Sequence, residues 1–240
     1  MAIKAVGFDL FGTLVDAEAD WEDCVRSMCG HLRDRGYEFS DDDFISCYRA
    51  AAVEHRKARR EELREVNNRV WVADALSRMS FEVEASSPHV VSAVERYFSP
   101  WRLTVAPDAH EVLERLHGKF KIALVSNFTD SAYLHRCLEA LGLEEFFDGV
   151  IVSDSVGWRK PHPAIFETFL ELTGATADEA IFIGDDPVSD IKGAKNLGIK
   201  AVLLAKPGHA GSQEGETEVR PDHVVSSLTE FGEMLLADSI

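Results

Sequence analysis

Apolar positions along this chain follow two different periods, and the change between them divides it. Residues 3–8, Ile-Lys-Ala-Val-Gly-Phe, are apolar apart from Lys4 and predict a buried strand that delivers Asp9 at its end. Gly12 and Thr13 predict a sharp turn directly afterwards. Residues 16–99 are helical in pattern, with no convincing strand. One helix is expected from Trp21 to Leu32. Ser40 followed by Asp41, Asp42 and Asp43 predicts another start, a Ser cap with acids at the positive end of the helix dipole. That helix should run through Phe44, Tyr48 and Ala52 into the basic run around Arg59. Val66 to Met79 and Pro88 to about Phe98 complete the set. The run Arg56-Lys57-Ala58-Arg59-Arg60 reads as a solvated helix face.

From Val105 the pattern alternates. Helices are expected over Pro107–His117, Ala132–Leu143, Pro163–Leu172, Ile191–Leu197 and Leu228–Leu236. Strands are expected over Lys121–Val125, Gly149–Val152, Ala180–Gly184 and Ala201–Leu204. Alternation at this spacing predicts a parallel sheet covered on both faces. Gly208 to Pro221 reads as a surface loop. The first strand belongs with the later ones, so residues 1–15 and 100–240 form an α/β core, interrupted by an all-helical insert over residues 16–99. An insert placed after the first strand is sited to cover the crevice at the strand ends as a lid.

Composition narrows the partners. The 240 residues are 45% apolar, enough for a real core, and carry a net charge of −17. That balance argues against nucleic acid, whose phosphates need Lys and Arg. A high-salt cytoplasm and simple solubility both account for the acid excess. No apolar stretch is long enough to span a bilayer, and the amino terminus enters a strand rather than a signal sequence, so a cytoplasmic chain with no membrane partner is expected. Cys24, Cys29, Cys47 and Cys137 form no C-x-x-C pair and are expected as reduced thiols packed as small hydrophobes.

Polar residues punctuate the carboxyl ends of the expected strands: Asp9 with Thr13, Ser126-Asn127, Lys160, and Asp185-Asp186 with Asp190. Each has a plain alternative. Asp9 could merely end a strand, Ser126 and Asn127 could cap a helix, Lys160 could be a surface lysine, and Gly184-Asp185-Asp186-Pro187 could be a turn. Their shared location at one sheet edge favours a site, because strand ends converge on a single crevice. Asp9 then suits a nucleophile or metal ligand, and Asp185 a second carboxylate sharing Mg2+ with it. Lys160 supplies a compact positive charge, while Thr13, Ser126 and Asn127 offer donors to the same anionic oxygens. Phosphoryl transfer asks for this kind of positioning and charge neutralisation.

Phe-Asp-Leu-Phe-Gly-Thr-Leu, Val-Ser-Asn, Lys-Pro-His-Pro-Ala-Ile-Phe and Gly-Asp-Asp-Pro-Val-Ser-Asp, in this order, resemble the haloacid dehalogenase-like hydrolase superfamily. The resemblance covers essentially the whole chain. It implies a Rossmann-like core, an inserted helical cap domain, and Asp9 as the attacking carboxylate. It further implies that Ser126 and Lys160 hold the substrate's anionic group. Asp185 and the main-chain carbonyl of Phe11 join Asp9 around Mg2+, and Asp190 supports them. Asp186 is left between ligand and bystander. The expected partner is a small phosphorylated molecule, and the chain is a monomer or a homodimer.

Phe11 departs from the pattern. Phosphatases of this superfamily usually carry a second Asp two residues after the nucleophile, which protonates the leaving alcohol and activates water. A magnesium-dependent phosphatase lacking that group is the first reading. A 2-haloacid dehalogenase is the second, since halide leaves without a proton. A binding or regulatory member with little turnover is the third. The acidic pair Asp185 and Asp190 favours the first, because it crowds a carboxylate substrate unless a cation is present.

Overall fold

The computed structural model describes residues 2–206 and 218–237. In chain order the main elements are β1 (Ala5–Phe8), β2 (Val15–Glu18), α1 (Trp21–Arg33), α2 (Asp41–Glu61), α3 (Asn68–Arg78), α4 (Pro88–Tyr97) and β3 (Arg102–Val105). They continue with α5 (Ala109–Leu116), β4 (Lys121–Ser126), α6 (Ser131–Ala140), β5 (Gly149–Val152), α7 (Ser153–Val156) and α8 (Pro163–Thr173). The last are β6 (Ala180–Gly184), a π-helical segment (Pro187–Lys192), α9 (Gly193–Asn196), β7 (Lys200–Leu204), β8 (His223–Val225) and α10 (Leu228–Leu236).

Six strands form a parallel sheet in the order β5-β4-β1-β6-β7-β8. The fold is the expected α/β, Rossmann-like one. β1, β4 and β6 are buried on both faces, which explains their near-continuous apolar sequence. Phe166, Phe169 and Phe182 pack with Ile165, Ile191 and Ile199 in the main core cluster. Chain order runs outward from β1 through β4 to β5, then returns to β6 on the other side. β1 therefore lies at the point where the strand order reverses, where open α/β sheets bind ligands.

The chain divides into two compact units, one comprising residues up to Asp16 and from Thr104 onward, the other Ala17–Leu103. The second unit holds α1 to α4. Side chains cap all four helices at their starts: Asp20, Ser40, Asn67 and Ser87. Ser40 acts as its sequence predicts, accepting from the Asp43 N–H. Tyr48 is buried at the centre of this unit, among Trp21, Phe44, Trp71 and Tyr97.

Several expectations need correction. β2 and β3 pair with each other in a two-stranded sheet, although the helical pattern of residues 16–99 gave no sign of the first and the second precedes the alternating region. Four residues with mixed polarity carry too little periodicity to reveal either. β8 went unseen for the same reason. The helix expected from Ile191 begins at Pro187, where Asp186 caps it. The basic run is not uniformly solvated: Arg59 is largely buried, 4.2 Å over the Trp71 ring and 2.9 Å from the buried Glu65 carboxylate. Cys24 and Cys29 are buried free thiols, whereas Cys47 and Cys137 are only half-buried. Most of the loop expected at 208–221 lies outside the described residues. Among the described residues no helix is long and apolar enough to cross a membrane.

Candidate active site

The parallel register brings three strand ends together. Phe8 pairs with Leu124 of β4 on one side and with Ile183 of β6 on the other. Asp9 follows β1, Ser126 ends β4, and Asp185 follows β6, so all three emerge at one edge. The Asp9 N–H donates to the Ile183 carbonyl at 3.0 Å and extends the ladder by one residue. This fastening holds the Asp9 backbone rigidly to its neighbour strand.

Lys160 arrives from the loop before α8 and is buried, with 3% exposure. Its Nζ lies 2.6 Å from Asp9 Oδ1 and 2.7 Å from Asp190 Oδ1. Asp9 Oδ2 is buried without a hydrogen-bond partner, as is the hydroxyl of Thr13. Carboxylate oxygens of Asp9, Asp185 and Asp190 come within 4.8 Å of one another. One ammonium therefore faces three carboxylates.

The electrostatics follow from that imbalance. Burial, then the neighbouring Asp9 charge, pushes the Asp185 carboxyl up to about 6. Burial also raises Asp190, although Lys160 opposes it. For Lys160 burial disfavours the charge, but the carboxylates of Asp190 and Asp9 outweigh it and hold the ammonium above the ordinary lysine range. A buried oxygen left free beside two further carboxylates offers hard, crowded donors, and this donor set fits Mg2+.

The remaining residues divide into two groups. Ser126 is buried at the carboxyl end of β4. Asn127 is placed differently: its Nδ2 donates to the Lys160 carbonyl at 2.9 Å, and its Oδ1 accepts from the Lys160 N–H at 2.7 Å. One amide hydrogen and the amide oxygen are therefore engaged by the Lys160 backbone, a role beyond the expected donation to substrate oxygens. Asp186 belongs to the helix start, where its Oδ1 accepts from the Val188 and Ser189 N–H groups at 2.8 and 2.7 Å. Asp190 goes further than a supporting acid, since it touches Lys160 directly. Its other oxygen accepts from the Asp186 N–H at 3.0 Å. Phe11 is half-buried, with its ring 5.5 Å from that of Phe128. Its side chain offers no proton.

Two glycines that the sequence marks only as turn positions, Gly12 and Gly184, lie against the site carboxylates. Gly12 has a φ of +88°, and a Cβ there would overlap the Asp185 carboxylate. A Cβ on Gly184 would overlap Asp190. Their signal was present in the motifs Phe-Gly-Thr and Gly-Asp-Asp, but only the fold shows which carboxylate each one admits.

Relatives and solved structures match along nearly the whole chain. The chain is 28% identical to a ribulose-1,5-bisphosphate 5-phosphatase of Halopiger xanaduensis, over 96% of this chain and 98% of that protein. It is 28% identical to a glyceraldehyde 3-phosphate phosphatase of Pyrococcus furiosus, over 97% of this chain and 93% of the relative. Among solved structures, a HAD phosphatase from Thermococcus onnurineus matches with a TM-score of 0.60 at 25% identity, over 97% of this chain and 98% of that one. An L-2-haloacid dehalogenase from Xanthobacter autotrophicus matches with a TM-score of 0.62 at 25% identity, over 98% and 99%. The family model for haloacid dehalogenase-like hydrolases matches residues 3–198, and the chain belongs to that family of hydrolases.

Proposed function

We propose that the protein is a magnesium-dependent phosphatase acting on a small phosphorylated metabolite. One observation carries the reading: Asp9 has one oxygen held by Lys160 and the other buried and free, beside two more carboxylates. A haloacid brings its own carboxylate into that excess of negative charge, whereas a phosphoryl group brought in with a divalent cation relieves it. The two full-length relatives named for phosphorylated sugars support the same class.

The residues then have distinct tasks. Asp9, Asp185 and the Phe11 carbonyl would hold Mg2+, which would supply positive charge to the phosphoryl oxygens. Asp9 Oδ2 attacks phosphorus, the bond to the leaving oxygen breaks, and an aspartyl phosphate forms. Water then cleaves that acyl phosphate and restores the carboxylate. Lys160 steadies Asp9 and neutralises charge on the transferred group. Thr13 and Ser126 donate to its oxygens, and the unpartnered Thr13 hydroxyl is suited to that task. Phe11 offers the departing oxygen no proton, so acyl and aryl phosphates, whose carboxylate and phenolate leave without one, are the preferred substrates. The helical unit serves as a cap. That unit holds a cavity of about 240 Å³ lined by Trp21, Tyr97 and Trp101.

The test is a screen of phosphorylated metabolites and 2-haloacids, each with and without Mg2+, on the parent and on Asp9→Asn. Phosphate release that needs Mg2+ and vanishes in Asp9→Asn is expected. Phe11 against Phe128 favours one second reading, the dehalogenase, in which halide leaves unprotonated. Halide release without metal, and no phosphate release, selects it instead.

A further inference from the structure

A lysine carries its ammonium on a flexible four-carbon stem, so a fixed Nζ requires a fixed backbone beneath it. Lys160 has no long helix or strand to supply one. It lies between α7 and α8, immediately before the first turn of α8. Its charge must nevertheless reach one chosen oxygen of Asp9 and leave the other free.

Asn127 supplies the missing constraint. Its amide takes the Lys160 N–H at 2.7 Å and gives a hydrogen to the Lys160 carbonyl at 2.9 Å, gripping the residue on both sides across 33 positions of sequence. A second fastening flanks the same residue. The rings of Trp158 and His162, two positions to either side, stack with centroids 4.0 Å apart and an 11° tilt. The His162 Nδ1 accepts from the Ala164 N–H at 3.2 Å and ties that stack to α8. Asn127 itself follows the last residue of β4, which pairs directly with β1. Nucleophile and clamp are therefore mounted on adjacent strands of one sheet, the rigid support that a site of sub-ångström tolerance needs.

We infer that Asn127 is a positioning residue acting through Lys160. By fixing the backbone from which the ammonium reaches Asp9 and Asp190, it selects which Asp9 oxygen stays available for attack. The kinetic part of this inference rests on the phosphatase reading. A displacement of about 1 Å at such a group costs on the order of 100-fold in rate.

The test is a double-mutant cycle on Asn127→Leu and Lys160→Met, assayed with an aryl phosphate and Mg2+, together with crystal structures of the single Asn127 variants. Asn127→Leu should lower kcat by about 10- to 100-fold with KM changed less than about threefold, and add no further loss in the Lys160→Met background. Asn127→Asp, nearly isosteric, keeps the acceptor and loses the donor once ionised, so its kcat should recover towards acid pH, a limb the parent lacks. In the crystal of either variant, Nζ should leave the 2.6 Å contact with Asp9. Parental kcat in Asn127→Leu, a full second loss on top of Lys160→Met, or an unmoved Nζ would overturn the inference. A parent inert to every phosphate overturns the phosphatase reading instead, and the Nζ position alone then decides the clamp.

Discussion

Phe11→Asp restores the one catalytic group that this site lacks, and the structure sets what it should gain and cost. The Phe11 ring is half-buried, 5.5 Å from Phe128, and losing that contact removes about 0.5–1.5 kcal/mol of stability. A positioned general acid is worth about 10²–10⁴ in rate, or roughly 2.7–5.4 kcal/mol of barrier. The assay compares kcat/KM on alkyl and aryl phosphates for parent and variant, with Mg2+ at saturation. The parent should favour aryl phosphates strongly, because phenolates depart with little protonation. In the variant, alkyl hydrolysis should rise by up to about 10²–10⁴ and aryl hydrolysis by less. A parent already as fast on alkyl phosphates, unchanged by the substitution, would refute the reasoning and move the proton source elsewhere.

Other outcomes follow from the same charges. Lys160→Met leaves Asp9 and Asp190 without their counter-charge, and breaking a buried pair in this way should cost about 3–5 kcal/mol in urea unfolding with EDTA present. A loss below about 1 kcal/mol would mean that the carboxylates are not held charged by the ammonium. The Asp185 carboxyl at about 6 lies above its ordinary 3.8, so the folded state binds that proton more tightly than the unfolded chain. Its contribution is complete below pH 3.8 and is lost as pH rises through 6, so the metal-free urea midpoint should fall across that window while Mg2+ flattens the slope. A flat metal-free profile would argue against crowded charge at Asp185. Excising residues 17–103 behind a short linker should leave a cooperatively unfolding α/β core with weakened substrate discrimination, since the two units are separately compact. Loss of cooperative unfolding would show that the core needs the helices.

Much of the fold was legible because period and polarity report burial directly. β1, β4 and β6 are buried on both faces and read as apolar runs. Helix starts such as Ser40 announce themselves through local hydrogen bonding to their own first turn. β2, β3 and β8 were not legible, since strands of three or four residues acquire their identity from a partner strand and not from their own pattern. Arg59 was misread for a related reason: its neighbours Trp71 and Glu65 come from beyond the end of its own helix.

The sequence by itself determined which chemistry-bearing residues the chain has and that they fall at strand ends, because motif composition and hydrophobic period are properties of contiguous residues. It could also show that Phe11 removes a proton donor, since that follows from side-chain chemistry alone. Only the tertiary structure decided how those residues share the work. Asn127 and Lys160 are 33 positions apart, and Lys160 and Asp9 are 151 apart. No local pattern records that one amide is spent on a distant backbone, or that one ammonium holds a single oxygen of the nucleophile. Hydrogen bonds and charge pairs of that kind depend on distances of about 3 Å, and such distances exist only once the strands have been placed side by side.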